Sequence, residues 1–344
     1  MHFVLYDRFL NALGNSYILE SWSRTQRAVD FDSIRITGEQ IPVAANPFLV
    51  VINDKQGRQL FSGLASTPML DEKAKKTSIV LKDYMTLFNT EIIVNWGSFT
   101  GATVKSYIDG ILSRWKGQSD TGLSTIKWDT SALSDIPLDP EIALGGAIES
   151  VKVKDLIFDA LNYYNLYCVP ELNVSTKTLT YRFGKASVNS HSIRLSDFGV
   201  NSVDKSFGEC NRAFVYDYYF NLKSTWALAE DNSVVKLPSD KSLVYPGKSR
   251  NFIASEDSTD AVNDALYEAV MELASNRYQE NIDINVVPYK SILDLTSVDF
   301  SYKIAVYTEQ GYYKELPVGE IETDSSGKHI IRLGYRIQEL TQEM

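Results

Sequence analysis

The chain of 344 residues is long enough for two or three domains, each with its own hydrophobic core. Its 44% hydrophobic and 23% charged residues are typical of a globular protein and argue against extensive disorder. The 34 basic and 44 acidic residues leave a net charge of −10, which disfavours direct binding to the phosphate backbone of nucleic acids. The 20 tyrosines and 15 phenylalanines favour strands and large contact surfaces.

Residues 1–95 are predicted to form short strands separated by turns. The N-terminus is typical of a strand and lacks the charged start and long apolar stretch of a signal peptide. The apolar run 48–53 and the strand 58–62 flank a turn in which Gly57 can adopt the positive φ that a four-residue hairpin loop needs. Strands at this spacing favour a small sandwich or barrel. Further elements are predicted at 29–36 with a bulge or bend at Ser33, at 78–82, and at 83–88 as a helical turn.

A compact α+β unit is predicted over residues 96–190. Its first helix is indicated by six apolar residues at helical spacing, namely Val104, Tyr107, Ile108, Ile111, Leu112 and Trp115. A second helix is predicted around 156–164, and a hairpin over 166–183 turns at 173–176. A loop, 129–146, is predicted between the two helices.

Strands return in residues 191–344, where a long helix at about 256–280 interrupts them. An aromatic strand is predicted at 213–220. The fold class predicted from this order is mainly β with an α+β insert. It comprises two small related antiparallel β-barrels, 1–95 and 191–344, a mixed α/β domain between them, and an appended long helix. The strands that follow the helix are predicted at 301–307, 312–315, 318–322 and 328–335.

The sequence lacks the standard catalytic and cofactor motifs. It has no HExxH, GxSxG, Walker or GxGxxG pattern, and His2, His191 and His329 are scattered. Gly145 and Gly146 are interpreted as a turn, because no strand precedes them and no charged partner accompanies them. We therefore predict no catalytic, cofactor-binding or metal-binding residues, and no cofactor.

Two acidic clusters are the alternatives to this prediction, since glycosidases need two carboxylates. With 44 carboxylates in the chain such clusters arise by chance, and loops gather aspartate because it stabilises turns. Asp30 and Asp32 would lie on the solvent side of a strand, which disfavours a calcium site. The strand 213–220 could be a sugar-stacking platform, although a strand covered by core and subunit contacts is favoured. The clusters are Asp129, Asp135, Asp139 and Glu141 in one loop, and Glu320, Glu322 and Asp324 in one hairpin.

The cysteines and the apolar runs favour a protein made soluble in a cytoplasm. Cys168 and Cys210 do not form a CxxC pair, so a zinc or redox motif has no support. Two free, half-buried thiols are favoured over a disulfide between them. The longest apolar runs, such as residues 47–52, are far too short to span a membrane.

Two stretches resemble the tail-tip or baseplate hub family of bacteriophages. The first is residues 48–63, FLVVINDKQGRQLFSG, followed by a polar strand and then by LKDYMTLF at 81–88. The first barrel of the family has a similar hairpin ending in Phe-x-Gly, then a strand and an Asp-x-x-x-Leu helical turn. The second is residues 303–336, which end in Leu-Gly-Tyr-Arg and are similar to the closing barrel of the family. The order of units also resembles the hub part of type VI secretion spike proteins.

The resemblance implies a structural role in the virion. Hub proteins of this family form homotrimers in which each chain supplies two similar barrels, so that three chains make a pseudo-sixfold ring. That ring joins the hexameric tail tube, or a distal tail protein, to a tail fibre or spike protein and lets DNA pass. The resemblance thus implies a non-enzymatic tail-tip subunit that is assembled in the host bacterial cytoplasm, without stable nucleic-acid binding or a membrane. The alternative is a tail-associated cell-wall hydrolase or carbohydrate-binding module, with the acidic loop 129–141 or the aromatic strand 213–220 as its site.

Overall fold

The prediction of a mainly β fold with an α+β insert is confirmed. The described part of the chain contains three α-helices and four sheets, and four hydrophobic clusters fill its interior. None of the helices in this part is long and apolar enough to cross a membrane. The computed structural model describes residues 1–28, 33–42, 44–66, 68–95, 101–118, 125–139, 149–198, 204–206, 210–276, 279–285 and 298–334.

The N-terminal β unit contains a closed barrel. Its strands are β1 (His2–Tyr6), β2 (Tyr17–Arg27), β3 (Ser33–Glu39), β4 (Leu49–Asn53), β5 (Gln59–Ala65), β6 (Met69–Asp71) and β7 (Lys76–Lys82). Antiparallel pairs run from β1 through β4, β5, β7, β3 and β2 back to β1, and this circuit closes the barrel. Alternate side chains fill its interior, among them Phe3, Ile34 and Ile79, because successive residues of a strand point to opposite faces. Strand β6 is added at β7.

Most elements predicted for this unit are confirmed. The apolar run forms β4 and the next predicted strand forms β5, and Gly57 between them has a φ of +81°. The predicted helical turn is a 3-10 helix, Tyr84–Phe88. Asp83 caps this helix, since its carboxylate accepts a hydrogen bond from the N–H of Met85 at 2.8 Å.

Of the bulge or bend predicted at Ser33, the bulge is wrong within the described residues. Ser33 pairs in regular register with Lys82 of β7. The irregularity lies instead on β2, between Leu19 and Ser21, where that strand pairs with β3. Residues 29–32, which the prediction also covered, lie outside the described residues.

The insert is an α+β unit, as predicted. It contains β8 (Glu91–Val94), α1 (Val104–Gln118), β9 (Thr125–Asp129), a 3-10 helix (Ser131–Leu133), β10 (Glu149–Lys152), α2 (Val153–Tyr164), β11 (Leu166–Asn173) and β12 (Thr178–Lys185). All six residues of the predicted stripe on α1 are buried and share one core with α2, β9 and β12. Strands β11 and β12 form the predicted hairpin, β9 runs parallel to β12, and β8 pairs with β10.

The predicted long helix packs on a sheet of its own. The elements after the insert are β13 (Ser187–Arg194), a 3-10 helix (Leu195–Phe198), β14 (Asp204–Ser206), β15 (Arg212–Tyr216), β16 (Leu222–Leu228), β17 (Val234–Lys236), β18 (Ser249–Ile253), α3 (Thr259–Ser275), β19 (Gln279–Asn285), β20 (Tyr302–Thr308), β21 (Gly311–Asp324) and β22 (His329–Leu333). Strands β17, β16, β15 and β18 form a sheet in that order. Helix α3 buries Ala265, Ala269 and Leu273 against it. We call residues 210–276 the α3 unit.

The C-terminal β unit adjoins the barrel along one pair of strands. Its strands within the described residues follow the order β14-β19-β22-β21-β20-β13 around a core separate from that of the barrel. Residues 23–27 of β2 pair antiparallel with residues 320–324 of β21. This pairing, which we call the seam, makes one hydrogen-bonded path through both ends of the chain. The sequence did not indicate the seam, and the domain boundaries near residues 95 and 190 stay a prediction.

Candidate assembly surfaces

An ion network around a buried carboxylate stabilises the seam. Glu320 on β21 is 3% exposed, and its Oε2 accepts a hydrogen bond from Nε of Arg27 on β2 at 3.1 Å. Its other carboxylate oxygen pairs with Arg332 on β22. The guanidinium of Arg332 also lies 3.2 Å from Oε2 of Glu322 and 3.0 Å from Oδ2 of Asp283 on β19. The network therefore connects strands of both β units.

These contacts account for the C-terminal acidic cluster. Glu322 also accepts a hydrogen bond from Nζ of Lys328 at 2.5 Å, and this bond lowers the pKa of Glu322. Asp324 accepts hydrogen bonds from Ser326 and from the N–H of Lys328 in the β21–β22 turn, and its pKa is lowered chiefly by the Ser326 hydroxyl. A general acid at neutral pH needs a raised pKa. The electrostatics of this cluster therefore favour a structural role.

The acidic loop of the insert is engaged in local hydrogen bonds. Asp129 accepts bonds from the hydroxyl and the N–H of the serine two residues on, and these bonds lower the pKa of Asp129. Oδ2 of Asp139 accepts a hydrogen bond from the hydroxyl of Tyr163 at 2.6 Å. Asp135 is exposed, and Glu141 lies outside the described residues. The bonds of Asp129 stabilise its own turn, and the bond of Asp139 to Tyr163 fixes the loop against α2.

The histidines and cysteines are dispersed over the fold. His2 lies on β1, His191 on β13 and His329 on β22. Both cysteines are free, as predicted, but they are buried rather than half-buried. Cys168 lies in the insert core and Cys210 in the core beneath α3. Burial raises the pKa of both thiols, which opposes reactivity. In the described ranges no three potential metal ligands come together. The candidates Asp30, Asp32, Gly145 and Gly146 lie outside those ranges.

A cleft of about 820 Å³ opens between the barrel and the β11–β12 hairpin. Arg24 and Lys127 contribute positive charge to its lining. Of its two lining carboxylates, Asp83 caps the 3-10 helix, and Glu171 lies 3.2 Å from the guanidinium of Arg182. Both carboxylates therefore take part in contacts that stabilise the structure around the cleft.

The insert and the α3 unit meet where α2 packs on α3. The hydroxyl of Tyr267 on α3 donates a hydrogen bond to Oδ2 of Asp159 on α2 at 2.5 Å. Burial raises the pKa of Asp159 to about 6, against the opposing effect of the Tyr267 hydrogen bond, and the charge of Asp155 raises it further. Met271 and Tyr163 each pack against both cores. This joint sets the orientation of the α3 unit relative to the insert.

The predicted aromatic strand 213–220 is shorter in the structure. Strand β15 ends before Asp217, whose carboxylate accepts hydrogen bonds from the N–H groups of Tyr219 and Asn221 at 2.9 and 2.8 Å. These bonds turn the chain into a tight loop, since they satisfy N–H groups that a strand would pair with a neighbour. The aromatic side chains 218–220 are consequently 50–70% exposed. The expectation that core and subunit contacts cover this strand is therefore wrong for core contacts at these three residues, and coverage by subunit contacts stays a prediction.

Comparison with protein-family models gave no match, and comparison with curated protein sequences gave none either. Solved structures do match. A tail protein from Neisseria meningitidis aligns with a TM-score of 0.50 and 12% identity, over 97% of this chain and 95% of that one. The prophage tail protein gp18 from Listeria monocytogenes aligns with a TM-score of 0.52 and 10% identity, over 98% and 95%.

A chain from a complex of two proteins also has a similar fold. A chain of the Francisella PdpA–VgrG complex aligns with a TM-score of 0.50 and 11% identity, over 97% of this chain and 57% of that one. The protein therefore has the fold of these tail proteins and of the PdpA–VgrG chain along nearly its whole length. The resemblance found in the sequence is confirmed at the level of the fold.

Proposed function

We propose that this protein is a structural, non-enzymatic subunit of a phage tail hub, and that three copies form a ring at the tail tip. The observation that carries the proposal is the seam. It places two separately packed β units side by side in one chain, with β2 of the barrel paired to β21 of the other unit. A ring built from such chains has a wall of β units.

Three copies would match a sixfold neighbour. Each chain supplies two β units, so a threefold ring presents six of them, and the hub resemblance implies that they face a hexameric tail tube. In this arrangement the tail tube or a distal tail protein binds one face of the ring. A tail fibre or spike protein binds the other face.

The acidic balance fits the passage of DNA. A channel wall that repels phosphate avoids attractive contacts, which would slow DNA release during ejection. The net charge of −10 supports a wall of this kind. The partners of Glu320, Glu322 and Asp129 support a role without catalysis, because these carboxylates stabilise the seam and a turn.

The test is the mass and shape of the purified protein. Light scattering over a range of concentrations should give a mass near three chains, and electron-microscopy class averages should show a threefold ring with a central channel. A monomer at every concentration, with no ring in the images, would contradict the hub. A ring whose inner wall carries mainly lysines would leave the hub standing and contradict the account of the charge.

A further inference from the structure

Four hairpin loops of this chain share one hydrogen-bond pattern. In each, the N–H of the first residue donates to the carbonyl four residues on, and its carbonyl accepts from the N–H three residues on. Its Oδ1 accepts from the N–H groups two and four residues on. The shared geometry allows the same position to be compared in all four loops. Their first residues are Asp7, Asp54, Asp217 and Asp324.

The fourth residue of each loop has a positive φ, which favours glycine. Gly57 and Gly327 occupy this position in two loops, with φ of +81° and +89°. Leu10 occupies it in the third, and its side chain is buried in the insert core, which offsets the backbone strain. Phe220 occupies it in the fourth with a φ of +63°, yet its side chain is 70% exposed. Packing within the chain therefore does not account for Phe220, and its exposed ring is available for a contact with another molecule.

Phe220 belongs to an apolar surface at one end of the α3 unit, which we call the aromatic tip. The tip is rigid, since Asp217 holds two backbone N–H groups of the loop and also pairs with Nζ of Lys223 at 2.8 Å. A preordered loop loses little conformational entropy when it binds. Strand β18, parallel to β15, brings Ile253 to the same end of the sheet. The tip comprises Tyr218, Tyr219, Phe220, Leu222 and Ile253, which are 47–70% exposed.

Carboxylates flank the aromatic tip. Glu256, Asp257 and Asp260 are exposed where α3 begins, directly after β18. The hydroxyl of Tyr219 donates a hydrogen bond to Oδ2 of Asp257 at 3.0 Å, so the acidic segment adjoins the aromatic side chains. An occupant that complements this surface has an apolar centre with cations beside it.

The outer face of the barrel has this composition. Met69 on β6 and Val80 on β7 are 74% and 41% exposed. Arg35 on β3 lies directly across from Val80, and Lys82 follows Val80 on the same face of β7. Both cationic side chains are exposed. A guanidinium at this place can stack on an aromatic ring of the tip, in addition to pairing with a carboxylate.

We call the barrel surface formed by Arg35, Met69, Val80 and Lys82 the β3–β7 face. We propose that the aromatic tip of one copy docks on the β3–β7 face of the next copy. The two surfaces differ, so the contact is heterologous, and repetition of one rotation closes such contacts into a ring. Standard stable interfaces bury roughly 800 Å² per partner, so the tip supplies the anchoring centre of a larger contact. The inference rests on the proposed function, because it names the surfaces by which the ring closes.

Phe220→Gly is the first test, since glycine relieves the strained φ and leaves the loop able to fold. Sedimentation should show that the concentration needed for half-assembly rises at least about tenfold, while thermal stability of the dilute protein is unchanged or higher. Tyr245→Ala is the matched control. Tyr245 is 73% exposed and lies over Arg212 at the opposite end of the same sheet, so this change should leave assembly unaltered.

A charge exchange tests the partner surface. Asp257→Lys and Arg35→Glu should each weaken assembly, and the double variant should recover most of the loss, because the pair is re-formed with reversed signs. If the ring of three forms equally well from wild type and Phe220→Gly, the tip proposal fails and the hub stands. A wild-type monomer at all concentrations overturns both. If Phe220→Gly instead abolishes binding to purified cell-wall glycan and leaves the ring intact, the occupant is a carbohydrate and the proposal is overturned.

Discussion

Arg27 and Glu320 are 293 residues apart in the sequence, and their side chains meet at 3.1 Å across the seam. Glu320 is the acidic centre of the network, since it also holds Arg332. Loss of this buried charge weakens the compensation of Arg27 and leaves Arg332 with Glu322 and Asp283, which destabilises the fold more than the loss of an exposed ion pair does. The seam is thus a place where one substitution should lower the stability of the fold.

Glu320→Gln should lower the free energy of unfolding by about 2–3 kcal/mol. Most of this loss should come from the contact with Arg332, which is mostly buried, since Arg27 is partly solvated. Urea unfolding monitored by tryptophan fluorescence measures the change. Glu171→Gln is the matched control, since its pair with Arg182 is exposed on both sides and should contribute less than about 1 kcal/mol. Equal losses in the two variants would contradict a special role for the seam.

Asp159 should make stability depend on pH. Its pKa is raised to about 6 in the folded protein, above the ordinary value of 3.8, so the folded state holds the proton more tightly. The stabilisation from this group is complete below about pH 4 and is lost as the pH rises towards 6, which amounts to roughly 3 kcal/mol. Asp159→Asn removes the carboxyl group that titrates. The stability of wild type minus that of the variant should fall between pH 4 and 6, and a constant difference would contradict the prediction.

At the fourth residue of the four hairpin loops, where φ is positive, a side chain with a Cβ should lower the stability of the fold relative to glycine. A Cβ at Gly57 would meet no atom within 4 Å, so Gly57→Ala tests conformation alone and should cost about 1 kcal/mol. Gly117→Ala is the control of opposite sign, because Gly117 lies in α1 with equally open surroundings and alanine favours a helix. Thermal unfolding should therefore shift down for the first variant and up for the second.

The protein should not degrade cell walls. Purified wild type should give no cleared band in a zymogram against cell-wall substrate, since the described candidate carboxylates Asp129, Glu320 and Glu322 have structural partners. Asp139→Ala should leave phage assembly intact, with only a small loss of stability from the broken Tyr163 bond. A lytic band from the clean protein that this substitution removes would establish the hydrolase alternative.

The aromatic loop carries two opposing signals in its sequence. Aromatic residues favour strands, and this preference predicted a strand that continued to Phe220. The pattern Asp-x-x-x-Asn occurs both at residues 7–11 and at 217–221, and in each the aspartate closes a loop. The carboxylate of Asp217 outweighs propensity because it satisfies backbone N–H groups that the strand would otherwise pair.

Local periodicity determined the elements of this protein. The stripe on α1 and the run and turn at β4, Gly57 and β5 were predictable, because helical and strand spacing depend on neighbours a few residues away. The order of β unit, insert and β unit followed from the same patterns. Tertiary structure alone decided that β2 pairs with β21, that Glu320 is buried between Arg27 and Arg332, and that α3 has its own sheet. Pairings between distant segments depend on which apolar faces bury each other when the whole chain folds, and no local pattern encodes that choice.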